Sequence, residues 1–383
     1  MSQPLTRKRS TPSLSNNQSD ISGVSLREGK NPAVKNRRYE QILASAGIYM
    51  DDDDEVVATD ASKILCQTLL DIEQKVPQDS LFNDVLFRRI CQRVRNRNEA
   101  RVIRDLSPLL VPSAEILFVR GATHLKHLIE NVDEGWIKSI PLVKGPRPQP
   151  DFSVGLKSTA FTHNQLKKLK PFVGDWQDTS RLVATDEMYF PFLTSEVKCG
   201  NEALNIADRQ NAHSASVAVN AVVELYRAVS RQDKLHREIL AFSVSHDHQA
   251  VKIYGHYALI DGKDTSFYRH LIHHFSIISQ DGKDKWIAYK FTRNIYDTFV
   301  PIHLKRIYAA VDQLPDPEVF LVEPLSQQSN AESVEQDDSQ STPSYSQESL
   351  PRLPSSQTTE PVFKKPKGKA PQRCYGLPGQ DRA

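Results

Sequence analysis

Apolar residues along this chain follow two rhythms, and the change between them divides the middle of the sequence. Up to about residue 130 the spacing is helical. Residues 38–48 place Tyr39, Ile42, Leu43 and Ala46 three and four apart, which predicts a helix with one buried face. Thr59 or Asp60 is placed to cap a second helix, with Ile64, Leu65, Leu69 and Ile72 on its apolar side. Further helices are expected over residues 81–93 and 99–106. Pro108 ends the second of these, because proline lacks the N–H and its ring crowds the preceding turn. Residues 124–130 read as one more short helix.

Beyond residue 140 the pattern becomes that of strands. Pro141, Pro146, Pro148 and Pro150 hold the chain extended, and residues 151–156 alternate as a strand. A short helix is expected over residues 161–169 and a strand over residues 190–198. Gly200 and Asn201 end that strand. A long helix then covers residues 202–231, with Leu204, Ala207, Ala218, Ala221, Val222 and Leu225 near one face. Strands are predicted at residues 239–245, 251–260 and 267–278. The turn signals His246-Asp247-His248, Asp261-Gly262 and Asp281-Gly282 bound them. The last helical stretch, residues 285–312, contains Pro301, which should kink or restart it. This order predicts the α/β (α+β) class, with a mixed central sheet flanked by helices.

Composition sets the limits of the folded part. Of 383 residues, the first 35 and those from about 321 onward are rich in Ser, Gln, Asn and Pro and poor in large apolar groups. Such segments bury too little surface to offset their ordering entropy and are expected to be disordered. The expected organisation is a basic and polar head (1–35), a helical cap region (36–140), a core (141–320) and a Ser/Gln/Pro-rich tail (321–383). Net charge is only +2, so the basic excess is local. Arg88, Arg89, Arg93, Arg95, Arg97, Arg101 and Arg104 form either a solvated helix surface or a face for phosphates. The tail cluster Lys364, Lys365, Lys367 and Lys369 is either a nuclear import signal or a solubilising run. Cys66, Cys91, Cys199 and Cys374 form no C-x-x-C pair, and the N-terminus has no apolar leader. A soluble intracellular protein with free thiols and no membrane span is therefore expected.

One constellation has the makings of chemistry. Asp151 opens a strand, and Glu196-Val197-Lys198 ends an apolar one that leads into the long helix. Two carboxylates on neighbouring strands suit a hard divalent cation, which prefers oxygen ligands. Residues two apart on a strand share a face, so Glu196 and Lys198 point the same way.

Pro150-Asp151 followed by Glu196-Val197-Lys198 and a helix resembles the PD-(D/E)-x-K nuclease signature. A broader likeness is carried by Pro148-Gln149-Pro150-Asp151-Phe152-Ser153-Val154-Gly155, by Phe192-Leu193-Thr194-Ser195-Glu196-Val197-Lys198-Cys199 and by Ile206-Ala207-Asp208-Arg209-Gln210-Asn211-Ala212-His213. Ser243-Val244-Ser245-His246-Asp247-His248 and Ile253-Tyr254-Gly255-His256-Tyr257 extend it. Over about residues 98–314 these are similar to a fungal family of unknown function with a nuclease-like core. The resemblance implies a restriction-endonuclease-like core behind an N-terminal helical cap. It implies Mg²⁺ or Mn²⁺ held by Asp151 and Glu196, with Lys198 positioning the attacking water and Gln210 orienting the lysine or a phosphate. It also implies an acid from an upstream helix, for which Glu115, Glu130 and Glu134 are candidates. Some nuclease groups carry Q-x-x-x-Y on the helix after the motif, whereas here Ser214 stands four residues after Gln210.

The expected function is metal-dependent cleavage of phosphodiester bonds in nucleic acid. The alternative is a catalytically inactive module of the same fold that binds nucleic acid or a protein partner. A third reading makes Glu196 and Lys198 a structural ion pair. Other polar groups have plain expectations. His246 and His248 cap a turn, and His270, His273 and His274 lack a fourth ligand for zinc. His213 either faces the site or is a satisfied core histidine, and Asp208 and Arg209 form structural ion pairs. Lys167, Lys168 and Lys170 are a solvated helix face or a contact for nucleic acid, and Tyr226, Tyr254 and Tyr257 belong to the core.

Overall fold

Helices come first in the chain. The computed structural model describes residues 32–51, 56–200 and 202–316, all within the unit Met1–Pro324. The expected head and tail, and the acidic run at residues 52–55, lie outside them. A 3₁₀ turn, Pro32–Lys35, leads into α1 (Arg38–Ser45). α2 (Asp60–Asp71) starts at Thr59, whose hydroxyl accepts the Ser62 N–H. Its buried face is Ser62, Cys66 and Leu69, and the expected Ile64 is 67% exposed. The Glu238 carboxylate accepts hydrogen bonds from Thr59 and Ser62, and this rotates the helix away from its most apolar side.

α3 (Phe87–Val94) begins later than expected, leaving Leu81 exposed ahead of it. α4 (Glu99–Asp105) is capped by Asn98. α4 ends within a residue of the expected limit, and Pro108 occupies the first turn of a new helix, α5 (Ser107–Leu110), where a proline gives up no hydrogen bond. α6 (Ala114–Val119) was not anticipated.

The expected helix at residues 124–130 is also absent. A 3₁₀ turn, Thr123–Leu125, is followed by β1 (Leu128–Val132). Leu128 and Ile129 are apolar in any conformation, and pairing with β2 (Phe152–Leu156) decides the matter. After β2, α7 (His163–Val173) is entered through a capping box between Thr162 and Gln165. β3 (Tyr189–Val197) and α8 (Asn205–Ala228) follow. β4 (Ile239–His246), β5 (Ala250–Asp261) and β6 (Asp264–Ser276) match the predicted strands closely. α9 (Ile287–Asn294) and α10 (Val300–Val311) are joined by a π-helical turn, Ile295–Phe299, and Pro301 sits at the start of α10.

The result is a mixed α/β fold. Its open six-stranded sheet runs in chain order from β1 to β6. All neighbours are antiparallel except β3 and β4, which are parallel. Parallel neighbours cannot be joined by a hairpin, and α8 supplies the crossover. α8 is buried nearly all round rather than on one stripe, with Gln210 and Glu224 the half-exposed positions between Ala207 and Tyr226. It packs on one face of the sheet, where the Asn211 amide oxygen accepts a hydrogen bond from the Thr194 hydroxyl and its nitrogen donates to the Val244 carbonyl and Ser245 hydroxyl. α5 and α9 cover the other face, with Ser107 against His246 and Phe291 edge-on to Phe242.

Candidate functional site

Strand direction brings the motif residues to one end of the sheet. β2 starts where β3 and β4 finish. The β2–β3 ladder pairs Phe152 with Ser195, and one step further sets Asp151 opposite Glu196. Asp151 therefore stands at the end of the ladder, just ahead of β2. Both residues are 1% exposed. The Asp151 carboxylate reaches across the junction and accepts the Val197 N–H at 2.7 Å.

Lys198 leaves the sheet just beyond this junction. Its main-chain N–H donates to the His246 carbonyl at 2.9 Å, so β4 fixes the start of the segment. Its ammonium donates to Glu99 Oε1 at 3.0 Å and to the Val197 carbonyl at 2.6 Å. The side chain is 2% exposed, against 28% for Glu99. Beside it lies an open cavity of about 430 Å³, lined by Asn98 and Glu99 from α4, by Lys198 and Cys199, and by Gln210 from α8. Asp151 and Glu196 do not line this cavity. The four expected site residues therefore form two adjoining groups: Asp151 with Glu196 at the strand junction, and Lys198 with Gln210 in the cavity.

The N-terminal turn closes one side. Lys35 donates to Glu202 Oε1 at 2.5 Å, and the Val34 carbonyl accepts from the buried guanidinium of Arg209 at 3.1 Å. Arg209 is held by Glu40 at 2.8 Å, while its neighbour Asp208 pairs with Lys252 of β5 at 2.7 Å. Glu202 raises the Lys35 pKa. Burial raises the Cys199 thiol above its ordinary value, with Glu99 and Glu202 adding to the effect.

Three residues around this site were not singled out by sequence reasoning, and a fourth was given another role. Glu99 is the acid that meets Lys198, and Asn98 caps the helix that presents it. None of the three proposed upstream acids does so. Glu115 pairs with Lys157 at 2.9 Å, and Glu134 is exposed in the turn after β1. Glu130 pairs with Val154 in the ladder and so projects away from Asp151, accepting instead from Ser113 Oγ. Burial raises the Glu130 pKa. The helix-start signal of Asn98-Glu99 was readable; its distance in sequence from Lys198 hid its role.

Ser107 and His246 are the other two. His246 was expected to cap a turn, but it is the last residue of β4 and is fully buried. Asp247 does the capping, accepting from the Gln249 and Ala250 N–H groups at 2.6 and 2.8 Å. A carbonyl can only accept, so the 3.3 Å contact with the Asp247 carbonyl puts the His246 proton on Nδ1. Nε2 then accepts from the Ser107 hydroxyl at 3.0 Å. Burial lowers the His246 pKa, against the pull of the Asp247 carbonyl and of the Asp247 and Asp151 charges.

Among the described residues no group of three or more His, Cys, Asp or Glu is positioned to hold a metal ion. No helix among them is long and apolar enough to cross a membrane. Residues 86–311 match a family model described as "Domain of unknown function (DUF7924)". No curated protein matches the chain, and no solved structure does.

Proposed function

We propose that this chain, which belongs to the family of unknown function matched over residues 86–311, is a metal-dependent, nuclease-like protein that hydrolyses phosphodiester bonds in nucleic acid. The observation that carries the reading is the meeting of Asp151 with Glu196-Val197-Lys198 at one sheet end, beside a cavity onto which Lys198 and Gln210 open. The strand plan supports it. An acid ahead of one strand, an E-x-K on its antiparallel neighbour and a helix crossing to a parallel strand is the arrangement the motif requires. In this reading the sheet with α8 is a restriction-endonuclease-like core, and the helices ahead of β1 are its cap.

Mg²⁺ or Mn²⁺ fits the donor set within limits. Asp151 and Glu196 are two hard oxygen donors at the strand junction, and among the described residues they belong to no group of three or more His, Cys, Asp or Glu placed to hold a metal ion. Mg²⁺ commonly takes one or two carboxylates and completes its shell with waters and substrate phosphates. The two carboxylates would hold such an ion, and when bound it would polarise the phosphate and acidify a coordinated water. The protein's own contribution is positional. Glu99 and the Val197 carbonyl fix the Lys198 ammonium at the wall of the cavity, where it would serve as a donor for the attacking water or a phosphate oxygen. The half-exposed Gln210 amide offers a second donor from α8. A nuclear location would suit this substrate, with the basic run at residues 364–369 as the import signal.

One observation favours the non-catalytic alternative: Lys198 is nearly sealed and already ion-paired. Cleavage assays separate the two. Purified protein with Mg²⁺ or Mn²⁺ should cut labelled DNA or RNA. Lys198→Ala and Glu196→Gln should each slow this by at least about 100-fold, as expected when a transition-state contact is lost. Absence of both cleavage and calorimetric metal binding in the wild-type protein would sink the catalytic reading.

A further inference from the structure

We infer that a second groove, between α3 and the β4–β5 turn, binds the phosphate backbone of nucleic acid; the inference rests on the nuclease-like reading and adds where the polymer is held. Phe87, Ile90, Cys91 and Val94 bury one side of α3 in the core. That burial turns Arg88, Arg89, Gln92 and Arg93 outward, and Arg95 and Arg97 follow in the exposed turn after the helix. Arg88 pairs with Asp281. Among the described residues no acid pairs with Arg89, Arg93, Arg95 or Arg97. The helix itself contains no acid.

Between this helix and the turn lies a groove of about 300 Å³. Arg88, Gln92 and Arg95 line one wall and His248 and Gln249 the other. No acid lines it. The Gln249 amide nitrogen lies 2.9 Å from His248 Nε2. An amide nitrogen can only donate, so Nε2 accepts and the proton is on Nδ1. That buried Nδ1–H has no partner among the described residues. The one acid in the turn, Asp247, is spent on the Gln249 and Ala250 N–H groups. Burial lowers the His248 pKa, Asp247 opposes this, and the Arg95 charge reinforces it. A neutral N–H donor near the Arg95 guanidinium, which no described acid pairs, is complementary to an anion, and a planar guanidinium suits phosphate oxygens.

The groove also lies close to the candidate site. Arg95 and Arg97 lead directly to Asn98 and Glu99 of the cavity, and His248 is two residues from His246, whose carbonyl holds Lys198. Even a fully extended chain from Arg95 to Glu99 spans only about 14 Å, or about four phosphates along one strand. A backbone seated in the groove can therefore continue to Lys198.

The test is binding rather than cleavage. Fluorescence anisotropy of a short labelled oligonucleotide is followed against salt in the presence of EDTA. Arg95→Glu should weaken binding by about tenfold and reduce the salt slope by about 1, as loss of one phosphate contact does. Gln92→Glu should act in the same direction. Lys305→Glu, an equal charge reversal at an exposed position of α10, should leave binding within about twofold. Equal effects of Arg95→Glu and Lys305→Glu would overturn the proposal, because net charge would then be the cause. No binding by the wild-type protein, or binding only to an acidic peptide, would also overturn it. Groove-dependent binding without cleavage sinks only the catalytic reading; cleavage with unaltered Arg95→Glu binding sinks only the groove.

Discussion

The Asp151 carboxylate accepts the Val197 main-chain N–H at 2.7 Å, so a side chain ahead of β2 fastens the backbone of β3 between Glu196 and Lys198. Structure and chemistry are separable at this position. Asp151→Ala leaves a buried N–H without an acceptor and should cost about 1–3 kcal/mol. Asp151→Asn retains an acceptor oxygen and should unfold in urea near the wild-type midpoint, yet lose cleavage. An Asn variant that cleaves at the wild-type rate would remove Asp151 from the chemistry.

Lys198 and Glu99 are unequal partners, at 2% and 28% exposure. Removing the glutamate strands a buried ammonium, whereas removing the lysine leaves a carboxylate that water can reach. Glu99→Ala is therefore expected to destabilise by about 1–3 kcal/mol, and Lys198→Met by less. Paired denaturation curves test this. The opposite order would mean that the Val197 carbonyl alone satisfies the ammonium.

Acid should unfold the protein through its core histidines. Burial pushes His213 down to about 4, and His256 and His303 down to about 3. Unfolding exposes imidazoles that titrate near about 6.5, so below that pH the unfolded chain binds more protons than the folded one. Stability is complete above this range and falls as pH drops through it. Each such histidine contributes up to about 1.4 kcal/mol per pH unit. His303 is stacked on Phe299 with centroids 4.9 Å apart, and neither ring nitrogen has a partner among the described residues. His303→Phe should flatten the dependence of melting temperature on pH between about 6 and 4, whatever its effect at neutral pH. An unchanged slope would show that His303 does not titrate on unfolding.

Gly155 sets how closely β2 lies against β3. A Cβ there would stand 2.5 Å from Met188 Cγ and 2.9 Å from the Tyr189 carbonyl, at the irregular step in the ladder. Gly155→Ala should cost about 1–3 kcal/mol. Through the same ladder it should weaken the meeting of Asp151 with Glu196. Cleavage falling further than stability requires would show this, whereas a wild-type melting temperature would contradict the contact.

Much of this protein was determined by local sequence. The strands from β3 to β6 and the helix between β3 and β4 follow from apolar alternation, from glycine and aspartate at the turns, and from the long Ala/Val-rich run of α8. The Thr59 and Thr162 caps were local too, since a hydroxyl at a helix start needs only its own first turn. The tertiary structure decided what local pattern leaves open. Residues 128–132 are a strand because β2 pairs with them, although their apolar spacing also fits a helix. α2 turns toward Glu238 rather than along its most apolar line. Glu99 reaches Lys198, and Ser107 reaches His246, across sequence separations that no periodicity records. A side chain's rotation about its element is local information, but its partner depends on which elements the whole core brings side by side.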